Sequence, residues 1–296
     1  MKIALTGSAG RLGQALCQEA QARGHQLLPL TRQDLDITAM STSACACVRA
    51  FAPQVMINCA AFTAVAAAQS QRRACFAVNT RGVQNLIALC QDLACPVVQI
   101  SSDYVLPPVA GPHLEVPSQA RRGQLCTYGA TKLYAEKLCL QAGGCLIVRT
   151  GTLFGPQGDS LVARLLRQAL NGKRLTLIAD NYIMPTPYAL LAQMVVRLVE
   201  QGLAFKAPTA IVHATGPQAL SVYAFARQIF TCACELGRLK ALPAMERLSY
   251  LTYAKQYPQV KRPYDGRLYQ DELVKRIGPV PPLEPYVKAA IAAMEL

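Results

Sequence analysis

The sequence predicts an α/β protein, a doubly wound parallel sheet that carries a smaller C-terminal lobe. Three observations lead there. Short β-rich apolar runs alternate with amphipathic stretches of helical period, as repeated βαβ units do. A glycine-spaced turn, Gly7-Ser8-Ala9-Gly10-Arg11-Leu12-Gly13, separates the first apolar run from the first helical stretch. The 296 residues are 52% hydrophobic and 16% charged, which supplies a large core and argues against broad disorder.

The elements follow in order. Residues 2–6 (KIALT) read as a buried strand, 11–23 as a helix and 26–30 as a second strand. Strands at 55–59 and 97–100 flank a helix predicted over 74–93. A helix over 129–140 precedes a strand over 145–150. After Gly155 the pattern changes. Helices are expected at 161–170, 188–200 and 221–235, and short strands at 175–178 and 210–214. Prolines then gather (Pro243, Pro258, Pro263, Pro279, Pro281, Pro282, Pro285), so the tail should be irregular with short elements. The expected division is a nucleotide-binding core over 1–155, joined by the strands near 175–178 and 210–214. A discontinuous lobe drawn mainly from 156–296 completes it.

Several function classes are disfavoured. No apolar run approaches the roughly 18 residues of a membrane span, and the N-terminal run is broken by glycines and Arg11, unlike a signal peptide. The twelve cysteines are scattered through core-like segments, and Cys45/Cys47 and Cys232/Cys234 lack zinc spacing and nearby histidines. They read as structural thiols of a cytoplasmic protein, with no metal site. The net charge is +13, but its basic residues are dispersed pairs such as Arg72-Arg73 and Lys261-Arg262. That pattern reads as a solvated basic surface or as attraction for a phosphorylated cofactor and substrate, with nucleic acid a distant third.

The glycine turn fits a dinucleotide. Its position after the first strand puts Gly7, Gly10 and Gly13 where backbone approaches a pyrophosphate, at a helix N-terminus favourable to negative charge. At the end of the second strand, an acid would bind a ribose 2′-hydroxyl. Here the run is Pro29-Leu30-Thr31-Arg32, and Arg32 can pair with a 2′-phosphate. NADP(H) is the cofactor this favours, with NAD(H) the open alternative.

Two further segments carry chemistry. Gln99-Ile100-Ser101-Ser102-Asp103-Tyr104 ends a buried strand, where open parallel sheets bind ligands. Tyr128-Gly129-Ala130-Thr131-Lys132 opens a helix and places tyrosine and lysine on one face. Reduction of a carbonyl needs a proton donor, and a neighbouring ammonium is expected to lower the phenol's pKa from its ordinary value near ~10. Ser102 is placed to hold the carbonyl. Ser102, Tyr128 and Lys132 are therefore the candidate catalytic residues.

The order glycine loop, strand-end serine, Tyr-x-x-x-Lys resembles the extended short-chain dehydrogenase/reductase superfamily, and within it the dTDP-4-dehydrorhamnose reductase family. The likeness runs through Asp34-Leu35-Asp36-Ile37-Thr38, Asn58–Val65, Ala77-Val78-Asn79, Ile100–Val105, Tyr128–Lys132 and Arg149–Gly155. It implies a Rossmann-type fold with Gly10, Arg11 and Leu12 at the cofactor pyrophosphate. It also implies Asp36 and Ile37 at the adenine, Ala60, Ala61 and Thr63 along its middle, and Tyr128 and Lys132 at the nicotinamide ribose. Ser102, Asp103 and Tyr104 would face a nucleotide-linked 4-keto-6-deoxy sugar, and Thr152 would stand where the family commonly has tryptophan. A homodimer is implied by the likeness alone. Two other readings stay open: an NADP(H)-binding regulatory subunit of this fold, and a reductase or epimerase of another small metabolite.

Overall fold

The computed structural model describes residues 1–202, 209–258 and 261–295. The chain runs β1 (Lys2–Thr6), α1 (Arg11–Ala22), β2 (Gln26–Leu30), α2 (Thr42–Phe51) and β3 (Val55–Asn58). Short helices α3 (Val65–Ala68) and α4 (Arg72–Phe76) lead through a π-helical turn, Ala77–Gly82, into α5 (Val83–Asp92). Then come β4 (Val97–Ser102), α6 (Thr127–Ala142), β5 (Cys145–Thr150) and β6 (Leu153–Phe154). The second half contains α7 (Leu161–Leu170), β7 (Leu175–Ile178), β8 (Tyr182–Ile183), β9 (Thr186–Pro187) and α8 (Tyr188–Glu200). It ends with β10 (Ala210–His213), β11 (Leu220–Ser221), α9 (Val222–Glu235), β12 (Met245–Leu248), α10 (Tyr250–Gln256), α11 (Asp271–Ile277) and α12 (Glu284–Ala292).

Six parallel strands form the main sheet in the order β2-β1-β3-β4-β5-β10. The order reverses between β1 and β3, the switch point at which such sheets bind ligands beyond their strand C-termini. Alternate residues face opposite sides. Ile3, Leu5, Val98, Leu146 and Val148 pack against α1 and α8, while Ala4, Met56, Val97 and Ile147 pack against α5 and α6. Strands β3, β4 and β5 are buried along their whole length, which explains their near-continuous apolar runs.

The last two-fifths of the chain divides its allegiance. Helix α8 lies on α1 and α11 on α8, so both return to the main sheet. A separate cluster joins Phe154 to α7, α9 and α12 through Leu165, Phe225, Phe230 and Val287.

Four expectations need correction. The strand near 175–178 does not join the main sheet: β7 pairs with β12, Leu175 to Met245 through Ile178 to Leu248. Its middle residue Thr176 is exposed, and the edge of the main sheet beside β5 is taken by β10. The helix expected over 74–93 is three segments, because the π-helical turn interrupts it at Ala77–Gly82. Helix α2 was not anticipated, although Ser41 caps it by accepting from the Ala44 N–H at 3.2 Å. The tail is more regular than its prolines suggested. Pro285 stands in the first turn of α12, where a missing N–H costs nothing.

Truncation of Phe225, which is fully buried in the C-terminal cluster beside Phe154, tests that lobe. Phe225→Ala should lower stability by about 3–5 kcal/mol in urea unfolding.

Candidate active site

One cavity of about 710 Å³ opens beyond the C-terminal ends of β1, β3, β4 and β5. Gly7, Gly10, Arg11, Leu12 and Gly13 line one end, with Ala61 and Thr63 beside them. The glycines are needed there. Gly7 has φ +70°, and a Cβ on Gly13 would lie 2.2 Å from the Gly7 carbonyl oxygen. Gly10 precedes α1 without a side-chain cap, leaving first-turn N–H groups facing the cavity end. This cradle and helix terminus fit a dinucleotide pyrophosphate.

Ser102, Asp103, Tyr104, Tyr128, Lys132 and Thr152 line the middle of the same cavity. Helix α6 can start close against the end of β4 because residue 129 is glycine: a Cβ there would meet the Tyr104 carbonyl oxygen at 2.2 Å. The Tyr104 and Tyr128 rings consequently pack edge to face, 5.5 Å between centroids. The Ser102 hydroxyl donates to Asp103 Oδ1 at 2.8 Å. Lys132 donates its Nζ hydrogen to the Ile100 carbonyl.

Burial governs the charges. Desolvation pushes the Asp103 carboxyl up to about 6, against a hydrogen bond from Ser102 that pulls it down. Desolvation brings Lys132 down to about 8, partly offset by the Glu136 carboxylate one helical turn away. Tyr128 departs from expectation. Its pKa is raised, first by burial and then by Asp103, with Ser102 acting the other way. The phenol therefore stays protonated at neutral pH, the form a proton donor needs.

Other expected residues lie elsewhere. Arg32 is outside the cavity lining, its side chain 82% exposed and its Nε 3.1 Å from Asp36 Oδ2. Asp36 also accepts from the Thr38 N–H at 2.9 Å and hydroxyl at 2.7 Å. Ile37 is buried under Gly82 in the core. Ala60 is half-buried behind the glycine turn, its N–H donating to Asn58 Oδ1 at 3.2 Å. Sequence reasoning missed the far wall, where Arg262 donates to the Tyr253 hydroxyl at 3.0 Å and its guanidinium stacks on that ring. It also missed Tyr188, whose hydroxyl accepts from Arg11 at 3.3 Å. The Arg262-Pro263 pair was a usable signal for the first; nothing local marks Tyr253 or Tyr188.

The lowered Lys132 pKa fixes a stability signature. Between about pH 8 and the ordinary lysine value, the unfolded chain binds the extra proton, so wild-type stability rises with pH there. Lys132→Met should therefore gain relative to wild type at neutral pH and lose that advantage as pH rises through 8 to 10. Urea titrations at successive pH values measure it; a pH-independent difference would refute the buried charge.

Comparison with known proteins places the chain. A dTDP-4-dehydrorhamnose reductase from Sinorhizobium fredii is 32% identical over 286 residues, 94% of this chain and 92% of that one. One from Streptomyces griseus is 34% identical over 229 residues, 76% and 74% of the two chains. The crystal structure of a dTDP-4-dehydrorhamnose reductase from Clostridium acetobutylicum superposes with a TM-score of 0.84 at 25% identity, covering 100% of both chains. That of the Bacillus anthracis protein, in complex with NADP, gives 0.82 at 24% identity over 98% and 97%. The family described as RmlD substrate binding domain matches residues 1–296, and the chain belongs to that family.

Proposed function

We propose that the protein is an NADPH-dependent reductase of a nucleotide-linked 4-keto-6-deoxy sugar. The observation that carries this reading is the meeting, in one cavity, of the glycine cradle with Ser102, Tyr128 and Lys132. NADPH, when bound, supplies a hydride. The first turn of α1, with Gly7, Gly10 and Gly13, binds its pyrophosphate, and Arg11 lies alongside. Lys132 and Tyr128 hold the nicotinamide ribose. Ser102 turns its hydroxyl from Asp103 to the substrate carbonyl oxygen, and Tyr128 delivers the proton that the developing alkoxide takes. The sugar lies beside Asp103, Tyr104 and Thr152, and Arg262 suits a nucleotide diphosphate beyond it.

NADP(H) is preferred over NAD(H), with Arg32 reaching the 2′-phosphate. All twelve cysteines are free thiols, which supports a reducing cytoplasmic setting. No helix among the described residues is long and apolar enough to cross a membrane.

The test is NADPH consumption across a panel of dTDP-, UDP- and GDP-linked 4-keto sugars. Turnover with at least one is expected; tight NADPH binding without turnover would favour a regulatory cofactor-binding protein instead. Tyr128→Phe should lose about 10²–10⁴-fold in kcat while retaining NADPH affinity. Arg32→Ala should raise the KM for NADPH about tenfold and leave that for NADH unchanged, the loss of one charge-assisted contact. Equal effects on both cofactors would remove Arg32 from the 2′-phosphate.

A further inference from the structure

A second ionic group lies directly behind the catalytic helix face. Tyr128, Lys132 and Glu136 follow one another at four-residue intervals along α6, all on one side. Each meets the end of β4. Lys132 donates to the Ile100 carbonyl, and the Ser101 hydroxyl donates to Glu136 Oε1 at 2.6 Å. Tyr128 and Ser102 line the same cavity wall. Glu136 is held from β5 as well, by a two-pronged ion pair with Arg149: Nε to Oε1 at 2.9 Å and Nη2 to Oε2 at 2.8 Å. Both side chains are 1% exposed.

Stability does not explain such a pair. Removing two charges from water costs several kcal/mol each, and apolar replacements of similar volume are often as stable or more so. What an apolar pair cannot supply is a fixed negative charge one turn from a buried ammonium. We propose that Glu136, clamped by Arg149 and Ser101, is a positioning residue for Lys132: it holds α6 in register with β4 and keeps the lysine cationic inside the cavity wall.

The other groups facing Lys132 do not replace it. Cys139 lies on α6 itself, Cys59 comes from the turn after β3 and Cys75 from α4. Burial pushes the Cys59 thiol up to about 12 and raises that of Cys75, while the neighbouring Cys145 and then burial raise that of Cys139. They remain neutral near pH 8, which leaves the Glu136 carboxylate as the anion beside the lysine.

The inference rests on the reductase reading for its purpose but not for its test. NMR of the full chain, isotope-labelled at the lysine ε-carbons, follows Lys132 directly, with Lys132→Met identifying its signal. The wild-type signal should titrate near pH 8. Glu136→Gln should move the midpoint down by about one pH unit, the ordinary effect of losing a close opposite charge. If the lone Arg149 cation left by that change prevents folding, Glu136→Gln with Arg149→Met removes both charges and should show the same downward shift. Glu136→Asp, which retains the charge, should restore most of the midpoint. An unchanged midpoint in a folded Glu136→Gln or double variant would reduce the pair to a structural clamp and overturn the proposal. In turnover, the alkaline limb of kcat should move with the midpoint. Absence of wild-type turnover would sink the reductase reading while leaving the titration to decide this one.

Discussion

The burial of Lys132 is the constraint around which the sheet's C-terminal edge is built. A lysine 3% exposed needs acceptors, and it takes the Ile100 carbonyl, which also accepts from Gln99 Nε2 at 2.7 Å. Gln99 in turn accepts from Asn58 Nδ2 at 2.7 Å, and Asn58 accepts from the Thr6 hydroxyl at 2.6 Å. A polar row thus crosses β4, β3 and β1 inside an otherwise apolar sheet. It ends beneath the glycine turn, because Asn58 also receives the Ala60 N–H. The cradle and the lysine are two ends of one hydrogen-bonded ladder, so neither shifts without disturbing the other.

The same edge reaches into the second half of the chain. Arg149 gives its remaining nitrogen to the Val116 carbonyl at 2.9 Å and stands 3.4 Å from His213 Nε2. Burial and this neighbouring cation bring the His213 pKa down to about 3, so the ring stays neutral against Arg149. Its Nδ1 then lies 2.7 Å from the Tyr269 carbonyl oxygen, a geometry that assigns the proton to Nδ1. Glu115 ties the strap further, accepting from the backbone of His213 at 2.8 Å and of Glu272 at 2.9 Å. The segment after β4 and the segment around 265–272 are thereby stitched together, with Gly266 packed against Asp103. The residues proposed for substrate and for catalysis share one scaffold although they lie far apart in sequence.

The parts of this arrangement that depend on spacing were legible in the sequence. Gly7–Gly13 and Tyr128–Lys132 are short-range patterns whose geometry follows from one turn or one helix. The strands β1, β3, β4 and β5 announced themselves by apolar runs that burial on both faces demands. What depends on distant partners was hidden. Leu175–Ile178 has the composition of a sheet strand, and only the competition from β10 decides where it pairs. Arg149 sits in an apolar strand, where its charge has meaning only beside Glu136, and both read locally as ordinary charged positions. The π-helical turn was equally silent. It puts the Asn79 side chain where its Oδ1 accepts from Phe62 N at 2.7 Å and its Nδ2 donates to Phe62 O at 3.1 Å, pinning the loop along the cavity. An interruption of this kind recurs near functional sites, but a uniform amphipathic pattern conceals it.

Charge also bears on the anionic cofactor and substrate proposed for the cavity. Among the described residues its wall carries Arg11, Lys132, Arg164 and Arg262 against the carboxyl of Asp103. Burial already raises that carboxyl to about 6, and each phosphate brought near would push it further towards its neutral form. A neutral Asp103 is a weaker acceptor for the Ser102 hydrogen than the carboxylate, and it can donate a hydrogen of its own. Negative charge in the cavity would therefore weaken the Ser102–Asp103 hydrogen bond. The formal charge of +13 looks dispersed along the sequence, yet four of its cations meet at this cavity, where low-dielectric walls strengthen their field.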